Sequence, residues 1–133
     1  MEIHVTAPGG PPGILVEVKR PDILPPVAAL SKGFDLKSST TVTVLAGSTE
    51  QHCLGYSIKV PKGHVGRVSN ALFDPKIDVN PVFVPCTSHP LSLTLCNKTA
   101  EDIRVEKGDV IAHMVVLHNR PRLQLHVKKC YKQ

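Results

Sequence analysis

Side chains able to do chemistry are scattered along this sequence rather than clustered. Seven histidines (positions 4, 52, 64, 89, 113, 118 and 126) and four cysteines (Cys53, Cys86, Cys96 and Cys130) show no metal-ligand spacing. No cofactor and no bound metal are expected from them, and the thiols read as reduced residues of a cytosolic or nuclear protein. Asp35 after Gly33-Phe34 and Asp109 after Gly108 have the plain reading of turn acceptors. Asn97-Lys98-Thr99 has the pattern of a glycosylation acceptor, which matters only behind a secretory signal. Residues 1–13, rich in Pro and Gly, lack the basic-then-apolar pattern of such a signal.

The one concentration of charge is at the end. Arg120, Arg122, Lys128, Lys129 and Lys132 stand among residues 119–133 with no acidic residue, and they equal the whole chain's net charge of +5. Such a tail is expected to be solvated or to meet an acidic or phosphate-rich partner. Leu123, Leu125 and Val127 alternate with polar residues, the pattern of a strand that pairs with something, such as a neighbouring subunit. Nucleic acid is a weakly supported partner, because Tyr131 alone stands among the basic residues of the tail and it reads as a packing or tail contact rather than a stacking platform.

The elements that must position these groups are strands. Aromatic residues are 4% of the chain, Trp is absent, and twelve Pro and nine Gly interrupt every helical window. A core of Val, Ile, Leu and Thr favours strand, and 133 residues suffice for one domain. No apolar run is long enough for a membrane span, so membrane insertion is not expected. Expected strands are 14–19, 40–45, 56–60, 64–69, the edge strand 82–84, and 91–95, 103–105 and 110–117. Residues 22–31 read as an extended connection. The turn Pro61-Lys62-Gly63 reads as the tip of a hairpin, and the apolar run 110–117 as a strand buried on both faces. Short strands at this spacing spell a β-barrel or jelly roll. The expected organisation is a flexible lead-in 1–13, a barrel domain 14–118 and a basic arm 119–133.

Several of these segments, in order and with matching spacing, resemble the trimeric dUTPase family. Val16 to Arg20 with Leu24-Pro25 resembles its first strand. Gly33-Phe34-Asp35-Leu36 resembles its first motif, and Pro61-Lys62-Gly63-His64-Val65-Gly66-Arg67 resembles its proline-x-glycine-x-x-glycine-arginine stretch. Leu91 to Asn97 resembles a further strand, and Gly108-Asp109-Val110-Ile111-Ala112 the glycine-aspartate motif. The resemblance implies an all-β, distorted jelly-roll barrel in a homotrimer with an exchanged C-terminal arm. It makes Gly33, Phe34, Asp35, Gly63, Gly66, Gly108, Asp109 and Ala112 framework positions, with Asp35 a magnesium-water ligand by analogy.

The family's catalytic motifs are not matched residue by residue. Ser69-Asn70-Ala71-Leu72 replaces the proline-arginine-serine-glycine loop, residues 82–90 contain no acid, and the tail contains no Gly. A base that positions water needs a carboxylate or a well-placed histidine, and His89 reads as a loop residue. The expectation is therefore no enzyme and no catalytic residues. The chain is expected to be a scaffold that binds host or viral proteins in the cytoplasm or nucleus of an infected cell. It is similar in this to the adenoviral early-region-four proteins of the first reading frame. A divergent dUTP pyrophosphatase and a structural virion trimer are the alternatives.

Overall fold

The structure, a computed structural model, describes residues 1–6, 13–29, 33–85 and 89–118. Among the described residues, twelve strands run in the order β1 (Glu2–Val5), β2 (Ile14–Val18), β3 (Val27–Ala28), β4 (Phe34–Lys37), β5 (Val42–Val44) and β6 (Thr49–Lys59). They continue as β7 (His64–Asn70), β8 (Asp78–Val79), β9 (Val82–Val84), β10 (His89–Cys96), β11 (Ile103–Val105) and β12 (Val110–His118). No helix occurs among the described residues. One five-stranded sheet has the order β1-β2-β6-β10-β8, a second β3-β4-β12-β7-β9, and β11 pairs with β5 in a small third sheet. This is the expected all-β jelly roll.

Alternation builds the core. Ile14, Val16 and Val18 of β2, Leu54, Tyr56 and Ile58 of β6, and Leu91, Leu93 and Leu95 of β10 are buried from one sheet. Phe34 and Leu36 of β4, Val68 of β7, and Ala112 and Met114 of β12 are buried from the other. Aliphatic side chains of this size each contribute about 1.5–3 kcal/mol on full burial. In β12 the outward His113 is buried too, because this strand lies in the middle of its sheet and is covered on both faces near its centre.

Three sequence expectations are corrected. Residues 2–5, expected within a flexible lead-in, form β1, paired from Glu2↔Glu17 to Val5↔Ile14; the free edge of β2 gives their backbone groups partners. Within the expected connection 22–31, Val27 and Ala28 pair with Asp35 and Phe34. The turn at Pro61–Gly63, closed by the His64 amide donating to the Pro61 carbonyl at 3.1 Å, is not a hairpin tip. Both edges of β6 are taken by β2 and β10, so the turn carries the chain into the other sheet, where β7 pairs with β12 and β9.

Two buried polar side chains tie the layers together. Asn97 is 2% exposed. Its Nδ2 donates to the Val44 carbonyl at 2.9 Å and the Glu101 carbonyl at 2.8 Å, while its Oδ1 accepts from the Thr99 amide and hydroxyl. The amide that a glycan would need is thus committed inside the fold. His52 on β6 lies 2.8 Å through Nε2 from Ser38 Oγ, which follows β4. Ser38 Oγ is also 2.6 Å from the Thr40 carbonyl, which can only accept. The hydroxyl proton therefore goes to Thr40, and His52 Nε2–H donates to the serine. This serine–histidine contact has the wrong proton arrangement for a nucleophile and its base. It is a tie.

Two outcomes follow from these ties. Asn97→Ala takes the side-chain donor from the buried Val44 carbonyl and the acceptor from the Thr99 amide, so we expect a loss of about 1–3 kcal/mol; urea melts of the variant and parent measure it. Burial pushes the His52 pKa below its ordinary value of 6.5, with Glu50 opposing. The unfolded chain then binds a proton that the folded chain does not. This contribution to stability is present above 6.5 and is lost as pH falls below that value. Melts from about pH 7.5 down to about pH 5 should show this decline, and His52→Gln should flatten it.

Candidate functional site

Of the carboxylates singled out in the sequence, Asp35 is the one placed for chemistry. It lies within β4, not in a turn, because Phe34 and Leu36 on either side of it point into the core. Its cross-strand neighbour is His113 of β12. His113 Nδ1 lies 3.2 Å from Asp35 Oδ1, with side chains 3% and 29% exposed respectively. The imidazole N–H donates to one carboxylate oxygen, and the Asp35 side chain keeps partial access to solvent. A carboxylate held this way can accept a proton, orient a water or meet a cation.

Gly33 makes room for this pair. Its φ is +83°, and a Cβ there would collide with the Met114 carbonyl and stand 2.9 Å from His113 Nε2. Only glycine fits both the backbone and the space. The contact also shows that the His113 ring leans toward β4. Ser69, its cross-strand neighbour on β7, is on the other side, so Asp35, His113 and Ser69 share a row without forming a relay.

Asp109 serves the frame. Its Oδ2 accepts from Lys76 Nζ at 2.8 Å and from the Glu106 amide at 2.8 Å. Lys76 first, then that amide, holds the Asp109 carboxyl below its ordinary range. The Asp109 carbonyl accepts from the Ser38 amide, and the Gly108 amide donates to the Ser38 carbonyl, so the β11–β12 turn is laced to the end of β4. Phe34 and Ala112 are core residues. Gly66 of β7 packs where a Cβ would stand 2.9 Å from Met114 Sδ, and Gly63 lies in the turn after β6. Arg120, Arg122, Leu123, Leu125, Val127, Lys128, Lys129 and Lys132 lie outside the described residues, as do residues 86–88.

The sequence reading missed the Asp35–His113 and Lys76–Asp109 pairs. Their members are 78 and 33 positions apart; strand register brings Asp35 to His113, and loop packing brings Lys76, before β8, to Asp109, before β12. Among the described residues, no three His, Cys, Asp or Glu side chains converge as a group that could hold a metal ion. Asp35 and His113 offer at most two donors, so they do not fit a resident metal held by the protein alone.

Comparison with known proteins places this geometry. The family model for dUTPase matches residues 19–133. Among solved structures, the dUTPase of phage phi11 of S. aureus superposes with a TM-score of 0.71 at 14% identity, covering 80% of this chain and 91% of that one. The dUTPase of Staphylococcus bacteriophage 80alpha, in a mutant carrying dUpNHpp, gives 0.72 at 15% identity, with 80% and 90% covered. No curated protein matches.

These findings overturn the expectation that the chain is not an enzyme. The family model continues through residues 69–90 and the tail, the very stretches read as having lost their motifs. Motifs unmatched within a stretch that the family model spans give no ground for excluding activity. A single match over residues 19–133, on a fold with the same architecture, shows that this chain belongs to the dUTPase family.

Proposed function

We propose that the chain works as a dUTPase-family homotrimer that binds other proteins, on a scaffold carrying its family's chemistry toward dUTP. The family match over residues 19–133 is the observation that carries this reading. Hydrolysis adds water across a phosphoanhydride of dUTP to leave dUMP and pyrophosphate, with magnesium arriving on the triphosphate as part of the substrate. The partly exposed, histidine-anchored Asp35 carboxylate is the described acidic group best held for such work.

Assembly is supported by the outer face of β12, β7 and β9. Val115 stands beside Arg67 and Arg67 beside Phe83, with Leu117 beside Val65. Phe83 is 62% exposed and Leu117 39%, an apolar area of the kind that copies of a chain cover. The basic arm 119–133, with Leu123, Leu125 and Val127, is assigned to a neighbouring subunit and its lysines to an acidic partner. Protein binding draws support from the 80alpha dUTPase, which is described as controlling transfer of virulence genes by a G protein-like mechanism. The compartment proposed is the cytoplasm or nucleus of an infected cell.

Pyrophosphate release from dUTP with magnesium should exceed background and fall at least about tenfold in Asp35→Asn. No turnover by the intact chain would remove the enzymatic part. Light scattering should give a trimer mass, loosened by cutting after Asn119 or by Leu125→Asp. A monomer at micromolar concentration would contradict the assembly. Pull-downs from permissive cells, with and without residues 119–133, test the protein-binding part; capture that does not depend on the arm would remove its assigned role.

A further inference from the structure

The corner where β1, β2 and β6 meet plays no part in the reading above. His4, Leu15 and Lys59 form one cross-strand row, since His4 pairs with Leu15 and Leu15 with Lys59. Leu15 and Lys59 alternate with the inward Ile14, Val16 and Ile58, so the row lies on the outer face. Neighbouring strands are about 4.8 Å apart, which sets the imidazole and the ammonium on either side of an apolar side chain. The His4 ring lies against Gly13, with Nε2 3.0 Å from where a Cβ would stand.

Past Lys59 the chain runs through Val60 and Pro61 to Lys62. This turn is pinned twice, by the His64 amide on the Pro61 carbonyl and by His64 Nδ1–H on the Lys62 carbonyl at 3.1 Å. Together these residues line an open cavity of about 270 Å³. No carboxylate lines it, and neither Lys59 nor Lys62 has an ion-pair partner among the described residues. Uncompensated positive charge around a concave, partly apolar surface asks for an anion attached to something apolar.

We propose that this corner binds the phosphate monoester of a small organic molecule. Lys59 and Lys62, with His4, hold the phosphate, and Leu15, Val60 and Pro61 hold the organic group. Two ammonium groups match a phosphate dianion better than a single carboxylate. The volume is below the range of drug-sized pockets, which limits the organic part to about one ring. Nothing in this inference depends on the Asp35–His113 pair, which lies in the other sheet.

The test is an amide-resolved NMR titration of the full chain with phenyl phosphate, beside inorganic phosphate and phenol. Saturable shifts at His4, Leu15, Lys59, Val60 and Lys62, at least about tenfold tighter for phenyl phosphate than for either fragment, are expected. Lys59→Gln with Lys62→Gln should weaken binding about tenfold or more. Lys98→Gln with Lys107→Gln, which removes the same charge at two other exposed positions, should leave it unchanged. Equal weakening by both double variants would reduce the effect to net charge and overturn the proposal. So would shifts centred elsewhere, no saturation, or phenyl phosphate binding no tighter than phosphate.

Discussion

The burial of β12 at the centre of its sheet is the constraint on which the rest depends. Both edges of this strand are hydrogen-bonded, to β4 and to β7, and Ile111, Ala112, His113 and Met114 are all buried. A slip of one residue would exchange Ala112 and Met114 for His113 on the core side. That would bury an imidazole among Phe34, Leu36 and Val68 without its carboxylate, at the cost of an unpaired polar group. The register is therefore fixed by packing, and the same register sets His113 against Asp35. Core and candidate site are specified by one pairing.

The turns answer to that pairing. Asp109 binds the entry to β12 through Lys76 and the Glu106 amide, and its backbone is laced to Ser38. Ser38 in turn accepts from His52 in the opposite sheet. A chain of contacts thus runs from the β11–β12 turn through the end of β4 to β6. Each link is ordinary, and none resembles a catalytic relay once the protons are placed. The serine–histidine contact illustrates why distance alone is a poor guide: the Thr40 carbonyl takes the proton that a nucleophile would have to give up.

Family membership and motif matching pull in different directions here, for a physical reason. The segments that match the family most plainly, around Gly33–Leu36 and Gly108–Ala112, are those whose glycines and core residues the β4–β12 pairing demands. The described residues among 69–90 lie at the end of β7, on the short strands β8 and β9, on the loops between them and at the start of β10; loops constrain side chains less and tolerate insertions. The family model spans this stretch even where its motifs are not matched residue by residue. Absence of a motif there is weak evidence, and the unbroken match outweighs it.

By itself the sequence determined that this is an all-β chain. Period-two alternation in residues 14–18, 91–95 and 103–105 and the Pro and Gly punctuation depend only on local backbone geometry and on which side chains avoid water. The apolar run 110–117 also marked the strand whose centre is buried on both faces, residues 111–114, although Leu117 at its end is exposed. Local pattern does not say which strand edge is already occupied. The Pro61–Gly63 turn therefore looked like a hairpin until both edges of β6 were filled, and residues 2–5 looked loose until β2 offered an edge. The Asp35–His113 and Lys76–Asp109 pairs and the lysine-lined corner were decided by tertiary structure alone. Each joins residues far apart in the chain: strand register brings Asp35 to His113 and His4 to Lys59, and the packing of two loops brings Lys76 to Asp109.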